Sequence, residues 1–358
     1  MYSEQDLMSA VEAGAITPDA AAALRNHIAA TRGAPSVDEE QFRLLTGFND
    51  IFVAIASALL LAAVGWIGGS VWSPLGGAAV AAVAWGLAEY FTRERRMALP
   101  SILLLLAFVG GVAATLAGVV ADNGDALGRW IEAQSADRNV QMAIAGTIAA
   151  VIAGVAAFAA WLHWRRFMVP ITVAAGAVAV VGVVMSLIVG LIPPARDAIF
   201  PLVLVAGIAM FAFAMRWDIS DRERRTRRSD VAFWLHLAAA PMIAHSVFHM
   251  LGVFDARIGV GMAVIVVALY VAFAIVALAV DRRALLVSSL AYVLYALVSL
   301  FETAGAVELS AAFTGLVIGS ALLLLSAFWH RARGLVVGAL GTIAGYLPPV
   351  QQPRLAHV

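Results

Sequence analysis

His245 and His249 lie four residues apart inside an apolar run that extends from Val231 to Phe254. On a helix they share one face, a spacing that can chelate a metal ion or set two imidazole donors side by side. His236, nine residues earlier, falls about 180° round the helix and does not belong to the pair. Pro241 removes one backbone hydrogen bond between them and predicts a kink. A second run, Leu285 to Ala304, carries Ser288, Tyr292, Tyr295, Ser299 and Glu302 along a single helical face. Counted at 1.5 Å per residue from the Arg-flanked ends, His245 and His249 lie about 21 and 27 Å deep, and Ser299 and Glu302 about 21 and 26 Å deep. The two faces define a candidate polar site of His245, His249, Tyr295, Ser299 and Glu302, with His245 and His249 as candidate metal ligands. Two readings stand side by side. Ionisable residues in hydrocarbon mark ligand, ion or proton sites. The same residue types also act as hydrogen-bonding glue between helices, with Glu302 reaching the outer interface.

Other chemistries are excluded. There is no cysteine, hence no disulfide, iron–sulfur cluster or thiolate zinc site. All 23 basic residues are arginine, so a phosphate-binding glycine loop with its lysine is missing. A Gly-x-Ser-x-Gly elbow and a His-Glu-x-x-His pair are missing as well. No cofactor is expected. Glu89, four residues before Arg93, reads as an interfacial i,i+4 ion pair. A formal net charge of zero with 13% charged residues argues against a nucleic-acid-binding surface.

The elements that must position these residues are membrane helices. The chain has 358 residues, 63% hydrophobic, with a mean hydropathy of +0.92, whereas soluble domains average about 45–50% apolar. A span needs about 20 apolar residues, and ten runs qualify. They are Ile51–Trp72, Pro74–Phe91, Ser101–Val120, Val140–Leu162, Val169–Ile192, Ile199–Met215, Val231–Phe254, Val260–Val280, Leu285–Ala304 and Ala311–Trp329. The expected fold is an all-α, polytopic ten-span bundle over residues 51–330. Arginine clusters at Arg93 to Arg96, Arg165–Arg166, Arg216 to Arg228, Arg282–Arg283 and Arg331 to Arg333 all fall on one side, against Arg129, Arg138, Arg196 and Arg257 on the other. The positive-inside rule then puts both termini in the cytoplasm, with Trp161, Trp164, Trp217, Trp234 and Trp329 as an inner aromatic belt. The acidic N-terminal stretch lacks a signal-peptide pattern, so the first span is expected to act as an uncleaved insertion signal in a bacterial inner membrane. The loop from Arg216 to Asp230 reads as solvated, either fixing topology or touching anionic headgroups. A short surface helix is expected around Arg129–Ser135.

Ahead of the spans, residues 1–33 read as a cytoplasmic helical hairpin. Ser3 with Asp6 opens one helix, Gly14 ends it, and Thr17-Pro18 opens the next. Residues 34–50 form a linker and a juxtamembrane amphipathic helix. An Arg-Arg-x-x-x-Pro pattern recurs at Arg95–Pro100 and Arg165–Pro170, from hairpin duplication or from convergent boundary chemistry. Gly65-x-x-x-Gly69 and Gly315-x-x-x-Gly319 would allow close helix approach. Residues 331–358 are expected to hold an interfacial or re-entrant segment over Gly334–Leu347, then a tail.

The head motif Gly14-x-Ile16-Thr17-Pro18 with Ala21 to Leu24, the Phe42-Arg43 to Asn49-Asp50 segment, many spans and a closing Leu-Pro-Pro resemble a class of uncharacterised bacterial membrane proteins. That class is grouped under a domain of unknown function and is recognised mainly by its N-terminal helical hairpin. The resemblance implies the layout and brings no catalytic or binding residues. For function, the sequence favours permease-like movement of a small molecule or ion. The alternative is a scaffold or sensor whose head binds a cytosolic partner or a second copy, and a membrane enzyme using the histidines ranks last. The lipid bilayer is the one partner that composition requires.

Overall fold

The computed structural model describes residues 4–24, 48–224, 226–253, 259–303 and 307–350. The chain divides into two compact units, Met1–Phe42 and Arg43–Val358. In the first, α1 (Glu4–Glu12) gives way to a turn at Gly14, whose φ of 71° is costly for any residue with a Cβ. The Thr17 hydroxyl accepts the Ala20 N–H at 3.2 Å and caps α2, helical over the described residues 18–24. Leu7 and Ala21 are buried. Ser3, the linker at Ala34–Ser36 and the helix expected over Val37–Gly47 lie outside the described residues.

The second unit is an all-α, membrane-spanning bundle. Its helices are α3 (Phe48–Val71), α4 (Ser73–Ala88, continued by a π-helical segment Glu89–Glu94), α5 (Ala98–Asp122), α6 (Gly124–Gln134), α7 (Arg138–Phe167) and α8 (Ile171–Leu191). They continue as α9 (Ile199–Ser220), α10 (Arg227–Met250), α11 (Val260–Val280), α12 (Ala284–Thr303), α13 (Ser310–Ala327) and α14 (Trp329–Ala339). Ten of them, all but the short α6 and α14, are long and apolar enough to cross a bilayer. Inside hydrocarbon every backbone group must be satisfied within its own segment, which forces these runs into helices. The surface helix α6 begins five residues before the expected Arg129.

Consecutive spans pair, α4 with α5, α7 with α8 and α9 with α10, while α10 also touches α8 and α12. Half of the apolar stretch of α10 is buried inside the protein, the largest share of any span, so α10 is the central helix. In α3 to α8 the helices meet backbone to backbone. A Cβ added at Gly77 would stand 2.7 Å from the Gly111 carbonyl oxygen, and one at Gly146 2.7 Å from the Gly190 Cα. Gly76 of α4 likewise needs the space left by Gly65 and Gly69. Gly315 and Gly319 have nothing within 4 Å, so that expected seam is not used.

The two Arg-Arg-x-x-x-Pro copies turn at different places. Left-handed residues stand at Arg96 in one and at Met168 in the other, and Pro100 lies inside the first turn of α5 while Pro170 precedes α8. This favours convergent boundary chemistry over duplication. After α13 no helix among the described residues is long and apolar enough to cross a membrane. α14 and a 3-10 turn (Gly341–Tyr346) fold back so that Val337 and Leu347 pack on Val280 at the Arg-rich end of α11.

Candidate functional site

The histidine pair lies on α10, at the end remote from the arginines. The His245 and His249 rings are 6.0 Å apart. His245 Nδ1 is 2.7 Å from the Tyr292 hydroxyl of α12, and Phe200 of α9 stacks on His249 at 3.5 Å between centroids. The α12 face therefore reaches the histidines through Tyr292, one turn before Tyr295. Tyr295 is exposed, Ser299 is half-buried and Glu302 is exposed in the last turn of α12. Among the described residues Glu302 makes no hydrogen bond or ion pair, and no three His, Asp or Glu side chains are grouped so as to hold a metal ion.

A second polar assembly, at the Arg-rich end, joins residues that the sequence treats as boundary anchors. Asp218, in the last turn of α9, is 2% exposed. A carboxylate there meets the negative end of its own helix dipole and needs donors. Arg282, between α11 and α12, supplies two: Nη2 to Asp218 Oδ1 at 2.6 Å and Nε to Oδ2 at 3.4 Å. The same Nη2 also reaches the Ser229 carbonyl oxygen at 3.0 Å. His236 Nε2, from α10, lies 2.9 Å from Asp218 Oδ2. A ring carrying its proton on Nε2 donates to that oxygen, while its Nδ1 is buried without a hydrogen-bond partner.

Asp281 is the second hub. It sits at φ 58°, a left-handed conformation that Asp tolerates better than most residues, and it turns the chain from α11 toward α12. Arg224 Nη1 approaches Asp281 Oδ2 at 3.0 Å, and Arg333 Nε of α14 approaches Oδ1 at 3.5 Å. The Trp329 indole N–H donates to Oδ1 at 2.8 Å. Arg333 also donates to the carbonyl oxygens of Pro348 and Pro349, and Arg222 to that of Leu347, tying the returning C-terminal segment to the cluster. Burial pulls the Arg224 guanidinium below its ordinary range, and neighbouring Arg282 adds to the shift, while Asp281 opposes it. The guanidinium stays charged.

Two sequence expectations change here. The Arg216–Asp230 loop is not uniformly solvated, because Arg224 turns inward onto Asp281. Trp329 is not a belt residue, being 3% exposed and hydrogen-bonded inside the cluster. A third is extended. Glu89 does pair with Arg93 at 3.2 Å, but its bidentate partner is Arg166 of α7, at 2.7 and 2.8 Å. That pair is open to water at the helix ends. His163 of α7 is fully buried among Trp85, Phe108 and Phe167, with Thr172 Oγ1 3.3 Å from Nδ1 and no partner for Nε2.

One signal pointed to the buried cluster. Asp218 and Asp281 are acids at the same helix ends as the arginine runs, where the dipole and the positive-inside pattern both favour cations. Compared with known protein families, characterised proteins and solved structures, the chain matches none.

Proposed function

We propose that this membrane protein is a permease-like carrier of a small solute or ion, with α10 as its working helix, both termini in the cytoplasm and the bacterial inner membrane as its site. The observation that carries the reading is that α10 holds polar groups at two levels, each engaging the same two neighbours. At the first level His236 meets Asp218 of α9, and Arg282, in the link just before α12, holds the same carboxylate and the Ser229 carbonyl oxygen of α10. His245, nine residues or about 14 Å further along, meets Tyr292 of α12 and lies 5.8 Å from the Phe200 ring of α9. Ionisable groups deep in a bundle are costly and mark pathways. In this reading the Asp218–His236–Arg282 contacts close the cytoplasmic end. His245, His249, Tyr295, Ser299 and Glu302 form the outer polar site where solute first binds, with no metal required. A proton arriving at His236 Nδ1 would turn the ring into a second cation on the one Asp218 carboxylate, where it competes with Arg282 for that partner, which couples solute movement to protons.

The test is flux into proteoliposomes across a broad solute panel, with a pH dye inside. Wild type should move at least one solute with a proton signal, and the Glu302→Gln variant should do so with weaker apparent affinity. No flux for any solute would sink the carrier reading. The separate Met1–Phe42 unit favours a second reading, a scaffold or sensor whose head captures a cytosolic partner or a second copy. Retained flux after deletion of residues 1–33 would count against it.

A further inference from the structure

A slot of about 130 Å³ opens between α11, α12 and α13, beside the buried cluster and sharing Trp329 with it. Leu286 and Leu290 of α12, Leu325 of α13, Trp329, Tyr270 midway along α11 and Arg283 just before α12 line it, so that Arg283 marks its Arg-rich end and Tyr270 the middle of the span. Val287 on the rim is 65% exposed, and Ser326 opposite is exposed as well, so the slot faces out of the bundle rather than into it. In a spanning helix that direction is lipid.

Charge and depth are ordered along the slot. The Arg283 guanidinium lies over the Trp329 ring, 4.7 Å from its centroid, which holds the cation at the Arg-rich end. α12 begins at Ala284, so the positive end of a 20-residue helix adds to the field at the same point. Leu290, seven residues on, lies about 10 Å deeper, where the lining is apolar. A cation at the interface followed by an apolar channel facing lipid is complementary to an amphiphile with an anionic head and a hydrocarbon chain.

We propose that this slot binds one anionic phospholipid, its phosphate at Arg283 and the start of α12, one acyl chain along Leu286, Leu290 and Leu325. The site does not rest on the carrier reading, because binding is measured without flux. The same phosphate chemistry exists in free phosphate, and the experiment separates the two sources.

The full-length protein, stripped of lipid in a neutral detergent, is titrated with phosphatidylglycerol, with phosphatidylcholine of identical chains, and with inorganic phosphate, and bound lipid is counted by native mass spectrometry. One phosphatidylglycerol should bind per chain, about fivefold tighter than phosphatidylcholine, the preference expected for one basic residue at a membrane surface. Arg283→Gln should bring the two lipids to equal affinity. Val287→Trp, at an exposed rim position that leaves the core untouched, should weaken both by narrowing the slot. Equal affinity of wild type for the two lipids overturns the proposal, as does a preference that survives Arg283→Gln. Displacement of phosphatidylglycerol by equimolar inorganic phosphate would assign the site to the free ion and likewise overturn it.

Discussion

His163 and His236 are both enclosed histidines on long spans, one in each five-span half of the membrane unit, and they keep opposite company. His163, in α3 to α8, is caged by Trp85, Phe108 and Phe167 and touches one hydroxyl. His236, in α9 to α14, sits against Asp218, which Arg282 holds from the other side. The difference extends to the halves themselves. The first packs glycine on glycine, keeps its Glu89–Arg166 pair at the rim, with exposures of 32% and 41%, and buries a single acid among the described residues, Asp50 at the start of α3. The second buries Asp218, Asp281, Arg282 and Arg333 at 4% exposure or less. Desolvating an ion costs several kcal/mol even after relaxation, while rim pairs cost and contribute little. Two halves of similar hydropathy are thus built for different work. The first is held mainly by close backbone contact, and the second gathers a cluster of buried charges whose cost only complete pairing or a function offsets.

The largest effect should come from breaking a hub. Asp281→Ala leaves Arg224 and Arg333 buried without their carboxylate and should destabilise the protein by about 3–5 kcal/mol, read as a lowered unfolding midpoint in detergent. A drop no larger than that of a rim variant would erase the distinction between the halves. Next come the glycine seams. Gly77→Val forces side-chain atoms into the α5 backbone and should cost about 1–3 kcal/mol or more, whereas Gly315→Val, with open space around it, should stay within about 0.5 kcal/mol. A smaller effect of opposite sign is expected at His163. Its Nε2 is already buried without a partner, so His163→Leu should leave stability within about 1 kcal/mol of wild type, on the stabilising side. The smallest change belongs to the rim: Glu89→Gln should not move the midpoint measurably at physiological salt.

The ten spans were legible because hydropathy over about 20 residues is a property of composition. Local chemistry was legible too, as at Gly14 and Thr17, where conformation and capping follow from one or two residues. Helical spacing puts His245 and His249 on one face and Tyr292 and Tyr295 on the facing stripe of α12, but it does not say which tyrosine meets His245; the structure has Tyr292 there. The rotation of one helix against another is set by packing and not by periodicity alone. The buried cluster was missed for a more general reason. Arg224, Arg282 and Arg333 lie where boundary arginines are expected, so each had a sufficient local explanation. Their inward turn depends on Asp218, Asp281 and the fold-back of Leu347 to Pro349, contacts that join residues up to 64 positions apart. The mismatch between an acid and its helix dipole is the kind of local conflict that marks such places.

The claim that α10 works through an ionic gate in the second half is tested most directly by proton-linked solute flux in proteoliposomes for His236→Gln and His163→Gln, measured beside wild type at matched reconstitution. The account predicts that His163→Gln moves solute like wild type, while His236→Gln loses the proton signal and at least tenfold of the flux. Equal flux and equal proton signal in the two variants would contradict it.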